Sequence, residues 1–210
     1  MSKRIVALVC IAALLMTLLA ACGGKKQVMN GIEVEEQKIE RDNTLKGFAL
    51  LLTNKTSGDC NIAVSVKFLD ANGNVVESYE KLVIDAVAKD TTVADVFRCS
   101  KDFASYTYNV TPEALYLYNP IDTNLKSEFI KNGDKGTVSV TNNGNAPASF
   151  VEYYVLYYKG GKLIGTDFGY CIDDNNEIKP GATVTDDGTI FSEPYDQAKL
   201  YVHGKTEMNP

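Results

Sequence analysis

The sequence predicts an all-β protein built as two tandem β-sandwich domains behind an N-terminal export signal. Three observations carry that expectation: a β-rich composition cut by glycine turns, an apolar N-terminal run ending at a cysteine, and an internal repeat. The chain has 210 residues, with 12 Tyr, 8 Phe, no Trp and one histidine, His203. Thr, Val and Tyr suit the half-buried pleated surface of a strand. Asn-Gly and Gly-Gly pairs fall between apolar runs, where hairpins need tight turns.

Taken in order, the N-terminus reads MSKRIVALVCIAALLMTLLAAC. Lys3 and Arg4 form a positive head, and Ile5 to Ala21 is almost unbroken apolar chain. That layout is a secretory signal peptide, residues 1–21. The run closes in Leu19-Ala20-Ala21-Cys22, which resembles the lipobox of bacterial lipoproteins. The resemblance implies cleavage before Cys22 and a diacylglycerol on its thiol. The alternative is an uncleaved membrane anchor, because 17 apolar residues just reach the lower limit for a span. Both place the folded part on the extracytoplasmic face of the cell membrane. Residues 22–31 read as a lipidated polar tether, and two acyl chains on Cys22 anchor stably where one binds marginally.

Loss of Lys3 and Arg4 with the signal takes the formal charge from −6 to −8. An acidic surface with no basic cluster beyond Lys25-Lys26 repels phosphate backbones, which excludes nucleic acid as the expected partner.

The repeat sets the architecture. Leu50 to Val76 aligns without a gap on Val138 to Ile164 at an offset of 88 residues, Thr53-Asn54 falling on Thr141-Asn142 and Gly73 on Gly161. Side chains two apart share a strand face. On that alignment Val66 and Phe68 match Tyr154 and Leu156 as the inward stripe. Beyond Ile164 the register slips by about three residues around a loop near Asp173 to Asn176. Tyr106 to Val110 then resembles Ala198 to Val202 as a closing strand. Each copy has the size of a small immunoglobulin-like sandwich of about seven strands. The expected domains are 32–118 and 119–205, joined at Pro120 and the polar stretch Asp122 to Lys126, and touching each other.

The stretches VSVKFLDANGNVV and EYYVLYYKGGKLIG are similar to the signature of FxLYD domains, β-sandwich modules of bacterial lipoproteins and secreted proteins. Copy one keeps the Asp of that signature as Asp70, and copy two keeps Leu156-Tyr157 but lacks the Asp. The resemblance implies a fold and an envelope setting, with no catalytic residues.

Chemistry-bearing candidates are few. Asp70, Asn72 and Asn74 alternate like calcium ligands, but counted from Asp70 position 6 is Val75 and position 12 is Lys81, where an EF-hand needs Gly and Glu. A hairpin turn at Asn72-Gly73 is the expected reading. The run Asp173-Asp174-Asn175-Asn176-Glu177, with Asp186-Asp187, reads as solvated loops, with a structural calcium ion as the alternative. No cofactor and no metal are expected. Cys60, Cys99 and Cys171 remain after export, an odd number. A Cys60–Cys99 bridge is left open, and Cys171 reads as a buried thiol. A Cys171–His203 pair is conceivable but its spacing carries no signature. Non-enzymatic function is the expectation.

In the second copy Val151, Tyr153, Val155 and Tyr157 fill the strand face opposite Tyr154 and Leu156. A strand apolar on both faces is covered on both. Either the first domain packs on it, or a partner does. Tyr153 and Tyr157 are the candidate binding anchors under the second alternative. The functional readings are an extracytoplasmic protein-binding or scaffolding module, a glycan- or cell-wall-binding module using a Tyr-rich face, or a passive spacer.

Overall fold

The structure, a computed structural model, describes residues 25–41, 44–133 and 135–208. Residues 1–21, read above as a signal peptide, and Cys22 lie outside the described residues. Apart from one 3-10 turn, Asp122–Asn124, the described elements are all strands.

The first half holds β1 (Lys25–Met29), β2 (Ile32–Arg41), β3 (Thr44–Asn54), β4 (Cys60–Leu69), β5 (Val75–Val87), β6 (Thr92–Arg98) and β7 (Ser105–Glu113). They form a sheet of order β1-β2-β3-β6 facing a sheet of order β5-β4-β7, all neighbours antiparallel. The second half holds β8 (Tyr118–Pro120), β9 (Leu125–Asn132), β10 (Lys135–Asn142), β11 (Ala148–Lys159), β12 (Lys162–Tyr170), β13 (Glu177–Ile178), β14 (Thr183–Ile190) and β15 (Gln197–Glu207). Here β12-β11-β15-β8, with β13 beside β11, faces β14-β10-β9. Alternating apolar residues fill each interior: Phe48, Leu50 and Leu52 meet Val64, Val66 and Phe68 in the first, and Val138 and Val140 meet Val151, Val155 and Tyr157 in the second.

A third apolar cluster lies between the halves. Ile39, Ala49, Leu51 and Ala94 pack against Leu156, Tyr158 and Leu163. Because β3 alternates, Leu50 and Leu52 enter the first core while Ala49 and Leu51 face the second half. The central sheets are therefore buried on both faces, and the four sheets stack as four layers. Of the two coverings left open for the doubly apolar β11, the first half supplies the one observed.

The tether expectation changes here. Lys25 to Met29 is a strand paired with β2 through a turn at Asn30 and Gly31, both at positive φ (52° and 85°). Asn-Gly is the pair that a two-residue turn requires. Lys26 fastens the hairpin to Glu33 and Glu35 at 3.6 and 3.2 Å.

The repeat appears in the hydrogen bonds. Asn54 and Asn142 are both fully buried. Asn54 Nδ2 donates to the Gly58 and Val87 carbonyls (2.9 and 3.0 Å), and Asn142 Nδ2 to those of Ala146 and Ile178 (2.8 and 2.9 Å). Each Oδ1 accepts a loop N–H, from Thr56 at 3.0 Å and from Gly144 at 2.9 Å. The hydroxyl pair Thr53–Thr92 (2.7 Å) recurs as Thr141–Thr183 (2.8 Å), so the offset has grown by three residues past the Asp173 loop.

The faces of β11 beyond Phe150 are inverted relative to the ungapped alignment, while Val138 and Val140 of β10 keep it. Phe150 sits at φ 49°, and the β11–β15 register shifts between Ser149 and Glu152. One extra residue in a strand turns every later side chain to the other face. Before this bulge Cys60 and Ala148 both lie in cores; after it Val64, Val66 and Phe68 correspond to Tyr153, Val155 and Tyr157. Tyr154 and Leu156, expected inward, instead face the first half. The closing strands follow the same frame: Val66 pairs Tyr108, and Val155 pairs Leu200.

Candidate functional site

Tyr153 and Tyr157 are 2% and 1% exposed, inside the second core, and neither presents a surface to a partner. This corrects their reading as binding anchors, and the bulge at Phe150 is the cause. A tyrosine tolerates burial when its hydroxyl finds a partner. The Tyr153 hydroxyl donates to Asp186 Oδ2 at 2.6 Å, and Tyr157 stacks on Phe191 with centroids 4.4 Å apart. Gly169 makes room for the first, since a Cβ there would stand 2.3 Å from the Tyr153 hydroxyl.

The acidic loops are closed on themselves. Asp70 Oδ1 accepts the N–H groups of Asn72 and Asn74, both at 2.8 Å. Asp173 Oδ1 accepts those of Asn175 (2.8 Å) and Glu177 (3.2 Å) in the same pattern. Both are side-chain-closed turns. Asp186 serves Tyr153, and Asp187 accepts the Thr137 hydroxyl. Among the described residues no group of three or more His, Cys, Asp and Glu is placed to hold a metal ion.

Cys60, Cys99 and Cys171 are free thiols. Cys171 is buried with Sγ 3.7 Å from the Val138 carbonyl, and burial pushes its pKa up to about 12. It is not brought to His203.

His203 is instead part of a clamp between the halves. Its Nδ1 lies 2.8 Å from Asp122 Oδ1, and its Nε2 lies 2.7 Å from the Asp85 carbonyl oxygen. Both neighbours accept hydrogen bonds, so both ring nitrogens donate and the ring is an imidazolium. Burial alone would lower the His203 pKa, but the Asp122 carboxylate, as charge and as acceptor, outweighs it with help from Glu152 and the Asp85 carbonyl, and the pKa is raised. Asp122 also accepts the Gly204 N–H at 3.0 Å. The polar stretch read as the joint thus begins with a buried residue, Asp122, directly after the buried Ile121.

Beside the clamp a cleft of about 460 Å³ opens between the halves. Its first-half wall is made by Leu82 to Asp85 of β5 and Ala94 to Val96 of β6, and its second-half wall by β11, β12 and β15. On the second wall the strand register sets two rows across one face: Tyr170, Glu152 and His203, then Phe168, Tyr154 and Tyr201. Large apolar side chains concentrate here: Leu82, Val83, Phe150, Phe168 and Tyr170 line the cleft and are 39–46% exposed. Phe168 lies 4.9 Å from the Tyr154 ring and 5.0 Å from Tyr170, making one continuous aromatic wall.

Charges in the cleft divide into paired and unpaired. Lys205 Nζ binds Asp85 Oδ2 at 2.9 Å and lies 4.3 Å over the Tyr118 ring. Asp95 Oδ1 accepts the Tyr154 hydroxyl at 3.1 Å, and burial raises its pKa despite that bond and the Val96 N–H. Burial also raises the pKa of Glu152, with Asp95 and Asp122 adding to it and His203 and Lys205 opposing. Glu152 receives no hydrogen bond from any described residue. Sequence reasoning passed over this acid; its signal was a lone carboxylate in the apolar run FVEYYVLYY.

No protein-family model matches the chain, and no curated protein matches it.

Proposed function

We propose that this chain is a non-catalytic envelope lipoprotein, a binding or scaffolding module held on the extracytoplasmic face by lipid on Cys22. In this reading it carries two tandem immunoglobulin-like, FxLYD-like sandwich domains, 32–118 and 119–205, that present the cleft between them to a partner protein. The observation that carries the binding reading is the gathering of exposed apolar side chains in that cleft. Contiguous exposed apolar surface marks interaction sites, whereas scattered residues do not. Lipid on Cys22 would stand three residues from the start of β1, a span of about 10 Å. That places the β1–β2 hairpin at the headgroups, where the exposed Lys25 suits an anionic surface.

Two experiments test the reading. Metabolic acyl labelling should appear in the intact chain and vanish in Cys22→Ser. A photo-crosslinking amino acid at position 170 should give an adduct with an envelope protein in cells, while one at exposed Val75 should not. Adducts at both positions, or at neither, overturn the binding reading. A glycan-binding role would use flat exposed rings, but Phe168 and Tyr170 meet at 78° and offer no common plane.

A further inference from the structure

The cleft carries a chemical bias beyond its apolar walls. Two of its charge pairs are internally balanced, Asp85 with Lys205 at 2.9 Å and His203 with Asp122 at 2.8 Å. Two further carboxylates exceed the cations of the cleft: Asp95, which accepts a neutral hydroxyl, and Glu152, which takes no hydrogen bond from a described residue and feels only the charges of His203 and Lys205, each already paired with another acid. The electrostatics of the site favour a cation, and the rings of Tyr154, Phe168 and Tyr170 are the surface on which an alkylammonium or guanidinium head is best received. The protein already does this internally, with Lys205 Nζ over the rings of Tyr118 and Phe150 at 4.3 and 5.8 Å.

The first-half wall says what carries the cation. Among the described residues β5 ends its sheet and pairs only with β4, which leaves its outer backbone edge along Leu82 to Ile84 unladdered there. Glu80 to Val83 are exposed in succession, and Leu82 and Val83 put apolar side chains on that edge. An exposed apolar edge strand is a template for another strand.

Resting on the binding reading above, we propose that the cleft receives an extended basic segment of a partner protein, its backbone along the β5 edge and a lysine or arginine head between Glu152 and Asp95.

The test titrates the isotope-labelled full chain in detergent micelles with the peptide Ac-Thr-Val-Lys-Val-Thr-NH2, its norleucine analogue, and agmatine, following amide shifts. The lysine peptide should move the resonances of Glu152, His203 and β5, and the norleucine analogue should bind about tenfold more weakly. Glu152→Gln is isosteric and leaves the Asp122 pairing of His203 and the Asp85 pairing of Lys205 in place, so the fold is kept. It should lower lysine-peptide affinity about tenfold and leave the norleucine peptide unchanged. Asp95→Asn should repeat the loss from the opposite wall. Of two probes N-methylated on alternate residues, only one should lose binding, because one set of amides faces β5. Equal binding of lysine and norleucine peptides, agmatine binding as tightly as the peptide, or no binding at all overturns the proposal. A cellular adduct at position 170 that is indifferent to Glu152→Gln overturns it while leaving the binding module standing.

Discussion

Asp122→Asn is the most informative single change, because one carboxylate ties β15, the 3-10 turn and, through His203, the end of β5. The amide keeps the shape of the carboxylate and one acceptor oxygen, so the bonds from His203 Nδ1 (2.8 Å) and Gly204 N–H (3.0 Å) have somewhere to go. What disappears is the charge that holds a buried imidazolium. Breaking a buried pair by removing one partner costs about 3–5 kcal/mol, and the lower end applies here because a histidine can shed its proton. The pH dependence follows from the direction of the shift. The folded His203 pKa is raised above its unfolded value of about 6.5, so its stabilisation is complete below that pH and is lost as pH rises through the folded pKa. In the variant the ring is buried without its counter-charge, and its pKa falls. The difference between the proteins should therefore be about 3 kcal/mol at pH 5.5 and shrink steadily toward alkaline pH. Urea unfolding followed by circular dichroism between pH 5.5 and 9.5 measures it. A difference under about 1 kcal/mol, or one flat with pH, would refute the imidazolium assignment.

Three further outcomes follow from the packing. Gly169→Ala should lower stability by about 1–3 kcal/mol, because the new Cβ meets the Tyr153 hydroxyl at 2.3 Å; adding Tyr153→Phe should restore part of the loss in a thermal melt. Asn54→Ala and Asn142→Ala should each cost about 2–4 kcal/mol and differ little, since each strips a loop N–H, one buried carbonyl and one half-buried carbonyl of equivalent partners; one neutral substitution would break the equivalence of the two halves. In a native thiol titration at pH 8 the partly exposed Cys99 should react first, with buried Cys60 and Cys171 silent until urea is added.

Particular residues show where sequence reading held and where it stopped. The Thr-Asn pairs at 53–54 and 141–142 announced the repeat, and the buried Asn54 and Asn142 networks explain why those letters recur. Asn72-Gly73 and Gly160-Gly161 announced hairpins, and Gly73, Gly160 and Gly161 adopt the positive φ such turns demand. The same argument applied to Asn30-Gly31 would have found β1. The faces of β11 were another matter. Period-two alternation survives a bulge with its parity reversed, and nothing in the letters around Phe150 signals an inserted residue. Tyr153 and Tyr157 were therefore placed outside when they are core.

By itself, then, the sequence determined the strand content and the hairpin turns, because these depend on residues near one another in the chain and on local backbone preference. The tertiary structure alone decided the rest. Asp122 meets His203, Glu80 to Val83 form an open edge, and Glu152 faces Asp95 across a cleft because two sheets stack face to face. Those neighbours are brought together by burial of Ile39, Leu51 and Leu156 between the halves, a contact set by packing rather than by spacing along the chain.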